Sequence, residues 1–513
     1  MNQNIFHPKT EYKSRAGVSV FICLLILSGF LATSDQFLHW FVIPVTLSGI
    51  LIGIDAVDWF RGRLQLFDPV GIIGLLGFHF FFIAPLLHVS WDYWMNVPPP
   101  EDWRTWLGGM AILNFLGILV YRFSRSLFSK STKKKSLNTA WILDKRRFIF
   151  IISFALILSG VLQIGVFQRY GGIIGYINTY VDAREEFEGM GIVFMFSECF
   201  PTLAMMAFAV YAQEKKSRQT WIVLLIGLLV FLVLQLIFGG LRGSRSNTVW
   251  GLFWAVGIIH FWIRPVPKKA IPFAMIFLVL FLYIYGFYKS SGLEGLNTFQ
   301  NSEERAEFAE NSGRSWNDIL LKDLGRSDVQ AFLLYRLMKP DSDYEYAWGR
   351  TYQASVAIFI PKFIWGVERP PNKTKEGTDA QFGMGSYNPP LFASSRIYGL
   401  AGETMLNFSP FAIPFAFVLL GVLVGRFKRD LLTWQPGDIR FMFMPFLSNL
   451  CFLVLSGDSD NIVFFILKNG AIPFIVIKLS SKKELIKHGE NELFAVGKTQ
   501  HILSHHSNKK FRK

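Results

Sequence analysis

The sequence predicts an all-α integral membrane protein, with about twelve spanning helices and a large, partly helical extracytoplasmic loop. Three observations predict it. Apolar runs of spanning length recur along the chain, basic clusters fall on alternate connections between them, and one long stretch, 289–408, carries charges of both signs.

Composition sets the class first. The chain has 513 residues, of which 51% are hydrophobic and 17% charged, with 52 phenylalanines. Its mean hydropathy is +0.34. A bilayer core about 30 Å thick requires roughly 20 apolar residues per helix, and the runs have that length. This excludes a soluble globular enzyme. The net charge of +15 follows from basic residues gathered between apolar runs and at both ends. That distribution is a topology signal, and it excludes nucleic acid as a partner. Cys23, Cys199 and Cys451 lie in apolar segments without ligand spacing, so neither a disulfide framework nor a metal site is expected.

Apolar runs lie near 17–33, 37–57, 69–89, 105–121, 148–167, 192–212, 220–240, 247–263, 271–288, 409–426, 440–456 and 462–479. The N-terminus carries Lys9, Lys13 and Arg15 and is expected in the cytoplasm. Counting crossings from there, every even-numbered connection is basic. These carry Arg61 and Arg63; Lys133–Lys135 with Lys145, Arg146 and Arg147; Lys215, Lys216 and Arg218; Lys268 and Lys269; and Arg426, Lys428 and Arg429. The tail has Lys482, Lys483, Lys509 and Lys510, so both termini are expected inside.

The regions are then 1–288, transmembrane helices one to nine with basic cytoplasmic loops; 289–408, the outer loop; 409–479, helices ten to twelve; and 480–513, a basic cytoplasmic tail. The tail, with His488, His501, His505 and His506, reads as unstructured. Within the loop, 301–312 and 316–338 read as polar helices. Phe359–Gly366 is apolar but too short to span, and reads as a re-entrant or interfacial segment.

The turn Gly239–Asn247 puts Arg242 and Arg245 on an outer connection, against the charge bias that the rest of the chain obeys. Arginine makes bidentate charge-assisted bonds to phosphate, and Ser244, Ser246 and Asn247 can cap the next helix. Binding of lipid headgroups by the same arginines is the plainer alternative. In a helix over 394–408, Arg396, Glu403 and Asn407 would share one face. Glu403 is then either a base for a hydroxyl or the partner of Arg396 in an ion pair. Tyr170 can stack on a sugar, and Arg184 adds a cation on the same outer side. Asp458-Ser459-Asp460 reads as the cap of the last helix. Asp35 and Asp92 are carboxylates without local support.

Four places together make the chain resemble a known family: Tyr170-Gly171-Gly172 through Arg184; the Arg242–Arg245 turn; Ile360-Pro361-Lys362 with Trp365 and Pro370; and Glu403 with Asn407-Phe408. The family is the oligosaccharide repeat-unit polymerases of bacterial polysaccharide synthesis, the O-antigen polymerase or Wzy type. Ser409 stands where a glycine is expected, and Lys362 where arginine is usual.

The resemblance implies a GT-C-like glycosyltransferase of the bacterial cytoplasmic membrane that uses no metal or other cofactor. Its substrates would be polyprenyl-diphosphate-linked oligosaccharides at the outer leaflet, built into O-antigen or exopolysaccharide. Membrane lipid, a flippase and a chain-length regulator would be its partners. On this reading Arg242 and Arg245 hold the donor diphosphate, and Glu403 activates the acceptor. Arg184, Arg314, Arg326, Arg396, Asn407 and Tyr170 contact diphosphate or glycan. An O-antigen ligase is the nearest alternative. A lipid-linked sugar flippase is a more distant one, for which the sequence shows little internal symmetry and few mid-span ionisable residues.

Overall fold

A computed structural model describes residues 15–485, except 96, 131–138, 188, 244, 294–316, 359, 361–368 and 389–395. The chain is a mostly helical, multi-pass membrane protein. Among the described residues, ten helices are long and apolar enough to cross a bilayer: Arg15–Thr33, Val42–Phe60, Pro69–Ser90, Trp103–Ser129, Lys145–Arg169, Gly191–Gln213, Trp221–Phe238, Lys268–Lys289, Pro410–Thr433 and Ser459–Leu479. The two other expected spans are also helical. One is Arg245–Ile258, continued by a π-helical turn Ile259–Ile263. The other, Met444–Ser456, has 13 residues and is shorter than a full crossing.

Burial divides the helices into inner and outer sets. In their most apolar 18-residue stretches, 72% of the residues of Val42–Phe60 and 67% of those of Pro69–Ser90 are buried, against 17% in Trp221–Phe238 and in Lys268–Lys289. The outer helices point Phe150, Ile222 and Phe273 away from the protein. Water would penalise so much exposed apolar surface, and hydrocarbon does not.

Inner helices approach closely where side chains are small. On Pro410–Thr433, Gly421 and Gly425 face Trp103–Ser129, and a Cβ on Gly421 would lie 1.9 Å from Ser124 Oγ and 2.7 Å from the Tyr121 carbonyl. Asp55 secures the same region by binding Arg122 at 3.2 Å and Arg125 at 2.5 Å.

The connections gather at two ends. At the basic end, Lys268 donates to the Trp59 carbonyl, Lys145 pairs with Glu214, and Arg440 donates to the Thr139 carbonyl. Strands Thr139–Leu143 and Ser481–Leu485 pair antiparallel there, with Ala140 opposite Glu484. The start of the tail is therefore ordered, against the unstructured expectation. Its alternating main-chain donors and acceptors find a partner strand that lies more than 300 residues away in the chain. At the opposite end, His39 meets Asp102, and Tyr180 donates to the Lys289 carbonyl.

The described residues between 317 and 408 also lie at that second end, and some of them enter the bundle. Polar helix 316–338 was expected as one piece. It is a π-helical turn Asp318–Asp323 and a helix Ser327–Met338, separated at 324–326. Ala331, Leu333 and Leu334 are buried, and Tyr335 packs edge-on against Trp106. Helices Arg350–Ala357, Lys373–Phe382 and Gly399–Phe408 complete the described part of the loop. The expected helix 301–312 and the re-entrant segment, apart from Ile360, lie outside the described residues.

Candidate functional site

Among the described residues, two buried polar centres lie toward the loop end. The first surrounds Arg242. Helix Trp221–Phe238 ends at Gly239, and a 3-10 turn Gly240–Arg242 leads to Gly243. Gly243 has φ +75°, and a Cβ there would lie 1.9 Å from Tyr180 Oη, so the turn requires glycine. Tyr285 Oη donates to the Gly240 carbonyl, and Tyr288 Oη to the Leu241 carbonyl at 2.5 Å. Four side-chain and backbone constraints thus aim one arginine.

The Arg242 guanidinium stacks over the Phe194 ring, 3.9 Å from its centroid, and Nη2 donates to Glu198 Oε1 at 2.5 Å. Glu198 also accepts from Asn247 Nδ2 at 2.9 Å and forms an ion pair with Lys468. Glu198 and Lys468 are fully enclosed, while the Arg242 side chain keeps 20% exposure. Burial lowers the guanidinium's affinity for its proton, but the Glu198 carboxylate more than offsets that, so Arg242 stays charged.

Both unexpected partners sit where a helix is irregular. Glu198 lies between the helical segments Gly191–Ser197 and Phe200–Gln213, and Lys468 lies in the π-helical turn Ile466–Gly470. Such irregularities free backbone and re-aim side chains. These two are ionisable residues inside the spanning helices Gly191–Gln213 and Ser459–Leu479. The signal was one carboxylate and one ammonium inside apolar runs 192–212 and 462–479, where an ionisable group is costly unless used.

The second centre surrounds Glu403. Its Oε1 accepts from Thr351 Oγ1 at 2.8 Å and Ser459 Oγ at 2.5 Å, and its Oε2 accepts from the Ser459 N–H at 2.6 Å. Burial, reinforced by the nearby Asp458 carboxylate, pushes its pKa up to about 7. Asp458 Oδ1 accepts from the N–H groups of Tyr398 and Gly399 at 2.9 and 2.7 Å. Lys373 binds Asp458 at 2.5 Å and Asp460 at 3.2 Å. Burial raises the Asp458 pKa, while Lys373 opposes the shift. The Asp458 carboxylate was expected to cap its own helix. It instead serves the start of Gly399–Phe408, because the loop brings those N–H groups closer.

The other predicted residues divide between these centres and the periphery. Arg245 opens helix Arg245–Ile258, within electrostatic reach of Tyr285. Tyr170 packs against Tyr176 and Phe187, with its Oη donating to the Glu186 carbonyl at 3.0 Å. Arg184 begins the 3-10 turn Arg184–Phe187, and Arg314 lies outside the described residues. Arg326 donates to the carbonyls of Lys322 and Gly325.

Asn407 faces the interior, bonded to Thr351, the Glu403 carbonyl and the Gly349 N–H, so it holds the loop together. Arg396 does not share a helix face with Glu403. It precedes the helix, which begins at a left-handed Gly399 with φ +69°, and it contacts Met95 and Gln381. Of the two alternatives for Glu403, the ion pair with Arg396 is therefore not formed, and the Thr351 and Ser459 hydroxyls bind the carboxylate instead. Among the described residues, no group of three or more His, Cys, Asp or Glu side chains could hold a metal ion.

Arg242 and Glu403 are not in contact, but one helix touches both centres. Ser459 at the start of Ser459–Leu479 binds Glu403, and Lys468 on the same helix binds Glu198. At 1.5 Å per residue these positions are about 13 Å apart along the axis. Comparison with protein-family models, curated proteins and solved structures finds no match for this chain.

Proposed function

We propose that this protein is a membrane glycosyltransferase that polymerises polyprenyl-diphosphate-linked oligosaccharide repeat units at the outer face of the bacterial cytoplasmic membrane. The observation that carries this reading is Arg242, a partly exposed guanidinium at a membrane boundary, fixed by Glu198, Phe194 and the tyrosine-anchored turn. A leaving diphosphate needs positive charge placed before reaction, and a rigid arginine supplies it.

In the proposed reaction the acceptor hydroxyl oxygen bonds to the anomeric carbon of the donor sugar. The bond from that carbon to the diphosphate oxygen breaks, and the diphosphate leaves with the electron pair. The hydroxyl proton passes through the half-buried Ser459 hydroxyl to Glu403, whose pKa near 7 suits a base at neutral pH.

A topology of twelve crossings with both termini cytoplasmic accompanies this reading. Alternation of the connections between two ends supports it, as do the basic residues Lys145, Lys268, Arg440 and Lys482 at one end.

Replacing Arg242 by alanine is expected to abolish long polymer in cells while the protein still reaches the membrane. Normal chain lengths in that variant would sink the proposal. In a deletion strain, single repeats on the final acceptor indicate a polymerase, and polymer retained on the lipid carrier indicates a ligase.

Glu198 and Lys468 favour a second reading, a flippase for lipid-linked sugar, since buried ionisable pairs mark transport paths. Reconstituted protein separates the two. A polymerase lengthens glycan in liposomes without moving lipid between leaflets.

A further inference from the structure

The Arg242 centre is unbalanced in charge. Among the described residues, the ion pairs of Arg242 and of Lys468 both end on Glu198. Two cations therefore share one carboxylate in a place where Lys468 and Glu198 are sealed from solvent. An uncompensated charge there is costly unless an anion completes the set.

Two further observations point to the same spot. Tyr176 is 1% exposed and its hydroxyl has no hydrogen-bond partner among the described residues, although it lies within electrostatic reach of Arg242 and Glu198. Arg242 Nε is likewise buried without a partner among those residues. Unused donors beside surplus positive charge are what an incoming phosphate would engage.

We propose that Arg242 and Lys468 form a cradle for a phosphate or diphosphate group, in which Glu198 is the resident anion that the ligand displaces. Glu198 accepts from Arg242, Asn247 and Lys468, three donors converging as they would on a phosphate. Its position, seven residues into Gly191–Gln213, is about 10 Å below the start of that helix. A headgroup can be drawn to that depth while its chain stays among the helices. The cradle rests on the diphosphate reading above, and adds to it a lysine from the last helix and a competing carboxylate.

The test measures binding of farnesyl diphosphate and of inorganic pyrophosphate to the full-length protein in detergent, by calorimetry. Folding is checked for each variant by thermal exposure of the buried thiols. Lys468→Gln is expected to weaken binding about tenfold or more, and Lys468→Arg to restore it to within about threefold. Glu198→Gln is expected to tighten binding about tenfold, because the competing carboxylate is gone. The double variant Glu198→Gln/Lys468→Gln removes both enclosed charges together. It should fold, and bind more tightly than Lys468→Gln but more weakly than Glu198→Gln, because Arg242 is freed of its competing carboxylate while the lysine is gone.

Stronger binding of farnesyl diphosphate than of pyrophosphate assigns the cradle to a lipid headgroup. Equal binding assigns it to a free anion. Binding by folded Lys468→Gln within twofold of the parent protein, or weaker binding by folded Glu198→Gln, overturns the cradle. If the parent protein binds neither probe, the cradle and the diphosphate reading both fall. If it binds as expected but never lengthens glycan, the polymerase reading falls and the cradle stands.

Discussion

Asp458 and Glu403 each serve the other's helix. The Asp458 carboxylate, just before Ser459–Leu479, receives the N–H groups that begin Gly399–Phe408. Glu403, inside Gly399–Phe408, receives the N–H of Ser459 at the start of the other helix. Free N–H groups at helix starts attract carboxylates. Exchanged in this way, the two carboxylates tie helix Gly399–Phe408 to helix Ser459–Leu479, which also carries Lys468.

Glu403 should make this tie sensitive to pH. Its folded pKa, about 7, lies above the ordinary carboxylate value, so the folded state holds the proton more firmly than the unfolded state. The associated stability is fully present below about pH 4.5 and is lost as pH rises through 7. Melting temperature in detergent should therefore fall across that window, and more steeply in the parent protein than in Glu403→Gln. Glutamine can donate to Ser459 Oγ and accept from the Ser459 N–H, so this variant should fold yet lose polymerising activity. Glu403→Ala should cost about 3 kcal/mol by stranding buried donors. A parent melting curve as flat with pH as that of Glu403→Gln would contradict the assignment.

Lys373 is the sole cation that the described ion pairs give Asp458, whose side chain is completely buried. Lys373→Met should destabilise the protein by about 3–5 kcal/mol, since it leaves a buried carboxylate unpaired. Adding Asp458→Asn should recover part of that loss. Additive losses in thermal unfolding of the single and double variants would show that the pair is not coupled.

Gly243 sets the direction of Arg242. Gly243→Ala meets both a positive φ and the Tyr180 ring, and should reduce polymer formation at least as far as mild substitutions of Arg242 do. Tyr180→Ala in the same chain should return only part of the activity, because it creates space without relieving the backbone strain, about 1 kcal/mol or more. Polymer length profiles of the single and double variants measure this. Full activity in Gly243→Ala would mean that the turn need not be held.

The two ends of the molecule should label from opposite sides. In a background with Cys23, Cys199 and Cys451 replaced, Trp348→Cys, 71% exposed at the loop end, should react with an impermeant maleimide in spheroplasts. Glu484→Cys should react only after permeabilisation, and should form a disulfide with Ala140→Cys, its partner across the two strands. Labelling of both positions from the same side would exclude the twelve-crossing topology.

Sequence determined the membrane class and located the ten long apolar helices among the described residues. Apolar length is a local property, which is why run 37–57 became Val42–Phe60 and run 148–167 became Lys145–Arg169. It also singled out Arg242, because a charge rule obeyed elsewhere makes an exception visible. Tertiary structure decided what those residues touch. Glu198 and Lys468 are 270 positions apart in the chain, so nothing local joins them. Arg396 and Glu403 are seven apart, yet the left-handed backbone at Gly399 separates them. Segment Ser327–Met338 reads as polar, but neighbouring helices bury it. Hydropathy is summed along the chain, whereas ion pairs and burial depend on which helices become neighbours, and that is settled only when the bundle packs.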